Sequence, residues 1–490
     1  DLGSLVSDSC AGLCDACFTG NYAVDVSGVS EKSRFDRKIC EHKEDYDGAL
    51  DDSSAAIAIA ITNAEYFRAR ASVLIGVDAY EEALEDTDCG LALAPSNAVL
   101  HRYRSIALRN LGDLTGSLAE ATIAIDLAPG NAQAYRARGM ALAAMGATAR
   151  GIREIEHAIA MRPGFAAGYY EDIGNIHREA GDNRAAIAAY THSINADTNY
   201  SYSYYNRGTA RSDMGEHLGA IEDHTTCLRL NPGYMRAANN RGIALMALRR
   251  YSEALADFEL VLRNYPDNAI AYYNIGRVKY YQGLYTESVA ALTKAIEYRP
   301  GFAEAYHWRG FAGTWLGDWR RVAGDYERAA TLTRTWAPYF VDAADAHLNC
   351  SQPGAALTNV TRALALDPGN AVYLVCLSRA HNALSNKAAA VEALDAASRT
   401  GRWPGAIPFT MVWASRDTGR TDIALRVLND AINAGRSVEE NLKVRAELRL
   451  ACGATNDALR DLEHVLELSP KERQVRWRLA TAWRLLGLTN

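Results

Sequence analysis

Eight of the twelve prolines, Pro95, Pro129, Pro163, Pro232, Pro266, Pro300, Pro368 and Pro470, are separated by 34, 34, 69, 34, 34, 68 and 102 residues. Every interval is a multiple of 34 except for one extra residue between Pro163 and Pro232. A fixed period of this length marks tandem supersecondary units, each too small to bury a core alone and each packed on its neighbours. The period therefore overrides the count of about three globular domains that 490 residues would otherwise imply.

Numbering places within a unit from starts at 64, 98, 132, 167, 201, 235, 269, 303, 337, 371, 405 and 439, the eighth place carries Gly139, Gly174, Gly208, Gly242, Gly276 and Gly310. The twentieth place carries alanine, as at Ala83, Ala186, Ala220, Ala254, Ala356, Ala390, Ala424 and Ala458, and the twenty-seventh at Ala124, Ala158, Ala295, Ala329, Ala363, Ala397 and Ala431. Between them apolar residues run at helical spacing, as in Ala254-Leu255, Phe258 and Val261-Leu262. Glycines such as Gly181, Gly215, Gly283 and Gly317 mark a turn between two helices per unit. This pattern resembles the tetratricopeptide repeat, a helix-turn-helix of the same length with the same Gly, Ala, Ala and Pro landmarks. The resemblance implies an all-α solenoid, a right-handed superhelix of twelve full repeats over residues 64–472. A degenerate first repeat is expected over 30–63, a cysteine-bearing extended arm over 1–29 and a half-repeat helix over 473–490.

Net charge −7 disfavours nucleic acid as a partner, because that role needs a basic face. No apolar run approaches the ~18 residues of a membrane span. Phosphate-binding, dinucleotide, zinc-protease and serine-hydrolase motifs are missing from the sequence, so a non-enzymatic protein without cofactor is expected.

Four of the nine cysteines, Cys10, Cys14, Cys17 and Cys40, crowd ahead of the regular repeats. Two disulfides or one four-cysteine zinc site would staple such a segment. Cys89 and Cys227 lie at or beside slots for small core residues, where a buried thiol is expected. The triplets Asn199-Tyr200-Ser201, Asn349-Cys350-Ser351 and Asn359-Val360-Thr361 are glycosylation candidates, with Asn359 expected on the outer side of a second helix. With the start at Asp1 rather than Met, these features tilt the expected compartment to extracellular or cell-surface, the alternative being cytoplasmic.

The sixth place of successive repeats reads Asn206, Asn240 and Asn274, followed by Trp308. The resemblance implies a ladder here that holds the backbone of an extended peptide, since an amide both donates and accepts. Tyr202, Tyr205, Tyr273 and Tyr281 are expected to line the same groove, which suits peptides or sugars, while Tyr204 and Tyr272 fall in the packing position. The fifth place reads Arg68, Arg102 and Arg136, a candidate basic stripe for carboxylates, with pairing to neighbouring acids as the competing arrangement. Two functions follow. One is a secreted structural subunit, with glycans at the candidate asparagines, that joins head to tail through residues 1–29 and the apolar residues Trp477, Trp483 and Leu486. The other is an intracellular adaptor whose groove takes an extended peptide of a partner protein.

Overall fold

A computed structural model describes residues 43–59, 61–400, 409–435 and 437–469. Among them every regular element is a helix and no strand occurs. The described residues fall into two compact units, one ending at Pro266 and one starting at Asp267. In the first, α1 (Lys43–Ile59) precedes three pairs: α2 (Ala64–Gly76) with α3 (Tyr80–Leu93), α4 (Ala98–Asn110) with α5 (Leu114–Leu127), and α6 (Ala132–Ala144) with α7 (Thr148–Met161). Three more follow: α8 (Ala166–Glu179) with α9 (Asn183–Ala196), α10 (Ser201–Asp213) with α11 (His217–Leu230), and α12 (Met235–Ala247) with α13 (Tyr251–Asn264). The second unit holds α14 (Ala269–Tyr281) with α15 (Tyr285–Tyr298), α16 (Ala303–Leu316) with α17 (Trp319–Leu332), and α18 (Ala337–Asn349) with α19 (Pro353–Leu366). It continues with α20 (Ala371–Ala383) and α21 (Lys387–Arg399), α22 (Phe409–Asp417) and α23 (Thr421–Asn433), and α24 (Val438–Ala451) and α25 (Thr455–Leu468).

The 34-residue grid is met at each pair, and the single slip has a local cause. Pro163–Phe165 form a 3₁₀ turn that takes up the extra residue before α8. Inside a helix the insertion would turn every later side chain by about 100°; in the connection it leaves both apolar faces in register. At the opposite end of a pair, the fifteenth place is left-handed in all twelve repeats. Eight are glycines, from Gly112 at φ 90° to Gly453 at φ 79°, and four are Asp78, Arg249, Ser351 and Ser385, at φ 61°, 59°, 60° and 60°.

Two side-chain devices lock the pairs. The eighth-place glycine lets the second helix approach: a Cβ on Gly174 would lie 2.4 Å from the Tyr190 ring, and one on Gly242 would lie 2.7 Å from Phe258. The bulky partner is always sixteen residues on. One residue earlier on both helices runs an ion pair with the same spacing: Arg70–Asp86, Arg104–Glu120, Arg138–Glu154, Arg207–Asp223, Arg241–Asp257, Arg309–Asp325 and Arg445–Asp461, at 2.5–2.8 Å. In six of these the guanidinium also reaches back to the second helix of the preceding repeat, five donating to Ser54, Thr191, Thr225, Thr293 or Asn429 and Arg104 pairing with Asp88 at 2.9 Å. One cation thus ties three helices. Where the arginine is missing the carboxylate is missing too, as in Ile173/Ala189, Ile275/Ala291 and Met411/Val427.

This register corrects one expected glycan position. Asn359 occupies the place of the clasp carboxylate, so its side chain points inward, is 4% exposed and donates to Glu327 Oε1 (3.2 Å) and the Ala355 carbonyl (3.1 Å). Asn199 and Asn349 are exposed. Cys227 is fully buried as expected, and burial pushes its thiol up to about 12, but Cys89 is exposed because the adjacent Gly90 fills the packed slot against Leu100. Cys10, Cys14, Cys17 and Cys40 lie outside the described residues, as do Trp477, Trp483 and Leu486. Among the described residues no helix is long and apolar enough to cross a membrane.

Two predictions follow from these locks. Asp257→Ala strands the Arg241 guanidinium in a mostly dry site and should cost about 2–3 kcal/mol in urea unfolding, with R241L/D257A recovering more than half of that loss. Arg249→Gly removes a left-handed side-chain penalty, partly offset by unfolded-state entropy, and should stabilise by about 0.5–1 kcal/mol in the same assay.

Candidate functional site

First helices of successive pairs touch one another as well as their own second helices, so they build one wall of each unit. On that wall the fifth and sixth places turn out to be joined. The fifth-place residue of one repeat bonds the sixth-place residue of the next: Arg136 Nε and Nη2 donate to Asp172 at 2.5 and 2.9 Å, and Asn206 Nδ2 donates to Glu171 Oε1 at 2.9 Å. Asn240 Nδ2 reaches Tyr205 Oη at 3.4 Å and Thr209 Oγ1 at 3.3 Å, and His307 Nε2 meets Asp342 Oδ2 at 2.9 Å.

Two expectations change accordingly. Asn206, 7% exposed, and Asn274, 2% exposed, are buried, and the amides of Asn206 and Asn240 are spent on neighbouring repeats rather than offered to a peptide backbone. The arginines likewise do not form an open basic stripe. Arg68 pairs with Glu65, Arg102 is buried with its guanidinium 4.3 Å over the Tyr103 ring, and the Arg136 charge is held by the Asp172 carboxylate, which raises the guanidinium's pKa against the cost of burial. Tyr205 is buried against Tyr234 at 4.9 Å, whereas Tyr204, assigned to the packing position, is only partly buried.

An unfilled surface remains on α14 and α16. Tyr281 is 47% exposed, Phe311 42% and Trp315 63%, beside Leu316 at 49%. The rings are interlocked: Tyr280 meets Trp308 at 5.5 Å and Phe311 at 5.3 Å, Tyr281 meets Trp308 at 5.7 Å, and Trp315 lies flat on Tyr285 at 5.3 Å with 3° between planes. Trp315 Nε1 donates to Tyr280 Oη at 3.1 Å, which fixes the indole despite its exposure. Beside this patch the Arg277 guanidinium lies 5.4 Å from the Tyr273 ring and 5.3 Å from Trp308. Its hydrogen bond goes to Asn274 Oδ1 at 3.4 Å, its Nε is buried without a partner, and no carboxylate pairs with it among the described residues. Arg277 sits in a repeat that lacks the clasp, with Ile275 and Ala291 in the clasp places. Tyr273, Tyr281 and Trp308 are legible as groove residues from the repeat grid; Arg277, Phe311 and Trp315 are not. Their signal is the shared ninth place of Arg277 and Phe311 and the shared thirteenth of Tyr281 and Trp315.

These features define a tandem helix-turn-helix repeat protein whose first-helix wall carries an exposed aromatic patch. Tetratricopeptide repeat family models match residues 167–200, 205–269 and 269–302. With the 34-residue helix pairs on both sides of those segments, the chain is a tetratricopeptide repeat protein. It is similar to a tetratricopeptide repeat protein from Parabacteroides merdae, at 20% identity over 51% of this chain and 99% of that one, TM-score 0.41. It is also similar to PilW, a type IV pilus biogenesis factor (19%, covering 43% and 98%, TM-score 0.40), and to the Cut9-Hcn1 assembly of the APC/C (14%, covering 95% and 99%, TM-score 0.36). A comparison with curated proteins gives no match. Among the described residues no group of three or more His, Cys, Asp or Glu could hold a metal.

In the first unit, His224 occupies the bulky place behind Gly208, fully buried, with neither ring nitrogen hydrogen-bonded and its ring 5.8 Å from that of Tyr205. Burial, helped by the Arg241 charge, pushes its pKa down to about 3 from 6.5. Above pH 6.5 the ring is neutral folded or unfolded. As the pH falls, the unfolded chain takes the proton first, so stability is lost between 6.5 and about 3. The loss should reach about 2 kcal/mol at pH 5, and His224→Phe, the residue type at Phe258 one repeat on, should flatten that arm of the pH–stability curve.

Proposed function

We propose that this protein is a non-enzymatic interaction scaffold that holds an extended segment of a partner protein on the aromatic face of α14 and α16. The observation that carries the reading is the cluster of Tyr281, Phe311 and Trp315, large exposed rings each packed on a neighbouring ring: Tyr281 on Trp308, Phe311 on Tyr280 and Trp315 on Tyr285. Isolated exposed apolar residues need no explanation, whereas a contiguous, ordered patch marks a contact surface. Tyrosine and tryptophan suit the task because a flat apolar body is fixed at little entropic cost while its polar tip stays wet. Arg277 adds chemistry: a partly desolvated guanidinium without a counter-charge favours a segment that brings a carboxylate to it.

Joining end to end, and with it a structural role outside the cell, depends on residues 1–29 and 473–490, which lie outside the described residues. The wall of α14 and α16 supports the adaptor reading instead. Peptides selected by display against the whole chain should lose about tenfold in affinity with F311A/W315A and less with R277A, with far-ultraviolet circular dichroism unchanged. Selected peptides that bind the double variant as well as the parent would sink the reading.

A further inference from the structure

The proline grid fails at Arg334, which stands in the place of the closing proline, and the structure opens a cleft of about 430 Å³ there. Ala330 of α17, Phe340 of α18 and Ala365 and Leu366 of α19 form its apolar lining. Ala330 and Phe340 are buried at 1% and 6% exposure, while Leu366 is 44% exposed at the edge. Arg334, from the connection after α17, and Arg362 of α19 also line it. This cleft is built from the second helices α17 and α19, the connection between repeats and Phe340 near the start of the first helix α18, and it shares no lining residue with the aromatic face of α14 and α16.

The two arginines are uncommitted and stand together at the rim of an apolar cleft. Arg309, in the same repeat as Arg334, and Arg379, in the repeat after Arg362, pair with Asp325 and Asp345. Arg334 and Arg362 have no ion pair, hydrogen bond or ring contact among the described residues. The nearby acids are engaged elsewhere: Glu327 accepts from Asn359 and Asp367 from Asn370. Two unpaired guanidiniums beside an apolar floor, on a chain of net charge −7, make a local charge pattern opposite to that of the whole. Rim arginines recruit carboxylates and set on-rate and specificity, while the floor contributes burial.

We propose that the cleft between α17, α18 and α19 is a second docking site, which takes a short partner segment pairing a large apolar side chain with flanking carboxylates. The apolar side chain enters over Phe340 and Ala330, and the carboxylates meet Arg334 and Arg362. The test uses the whole chain and two fluorescein-labelled peptide amides, Gly-Glu-Phe-Glu and its uncharged counterpart Gly-Gln-Phe-Gln, read by fluorescence anisotropy. The acidic peptide should bind at least about fivefold more tightly than the glutamine peptide, and R334E/R362E should abolish that difference. R362A should give an intermediate loss, and R277A on the first-helix wall should leave binding unchanged. Both arginines are exposed, so circular dichroism of the variants should match the parent. No binding of the acidic peptide, equal binding of the two peptides, survival of binding in R334E/R362E, or loss of binding in R277A would each overturn the proposal.

Discussion

The arginine clasp is the interaction on which the helix stacking turns. Each buried Asp or Glu of a second helix receives a guanidinium from its own first helix, and in six repeats the same cation also reaches the preceding second helix. A pair of this kind does not have to add net stability over an apolar substitute, because desolvation of both ions offsets their attraction. It instead penalises every other stagger of the helices, since a slip by one turn would bury a charge without its partner. The repeats that dispense with it replace both sides together, as at Ile173 and Ala189, which avoids that half-satisfied state.

Steric complementarity acts alongside it. The place after the arginine is small, and the place after the carboxylate is large, so Tyr190, His224, Phe258, Leu292 and Tyr326 each fill the notch above a glycine. His224 shows how strongly shape governs the slot. An imidazole is held there neutral and without hydrogen bonds, because the volume is right even though the chemistry is not.

The wall of first helices is sealed by bonds between fifth and sixth places, which explains why so few of its polar side chains are available to a partner. Asp172 and Asn206 are anchored to the repeat before them. Once those groups are spent, what is left exposed is packed aromatic rings and cations without carboxylates. The Arg277 region and the cleft at Arg334 both occur where a repeat departs from its own rule, the first lacking the clasp and the second the closing proline.

The period, the helix pairs, the turn between the two helices and the small packing places were all legible in the chain alone, because each depends on residues close in sequence and recurs many times. The slip near Pro163 was legible as a count, though the 3₁₀ turn that absorbs it was not. What only the tertiary structure decided is which side of each helix faces inward at the polar places. Asn206 and Asn359 look like accessible amides in the sequence, and both are buried by partners 35 and 32 residues away. The same holds for the arginines: Arg136 is neutralised by Asp172 across a repeat boundary, while Arg277 and Arg334 keep open charge. Periodicity reports where a side chain stands on its helix, but whether its charge or amide is already satisfied depends on the neighbouring repeat that packs against it.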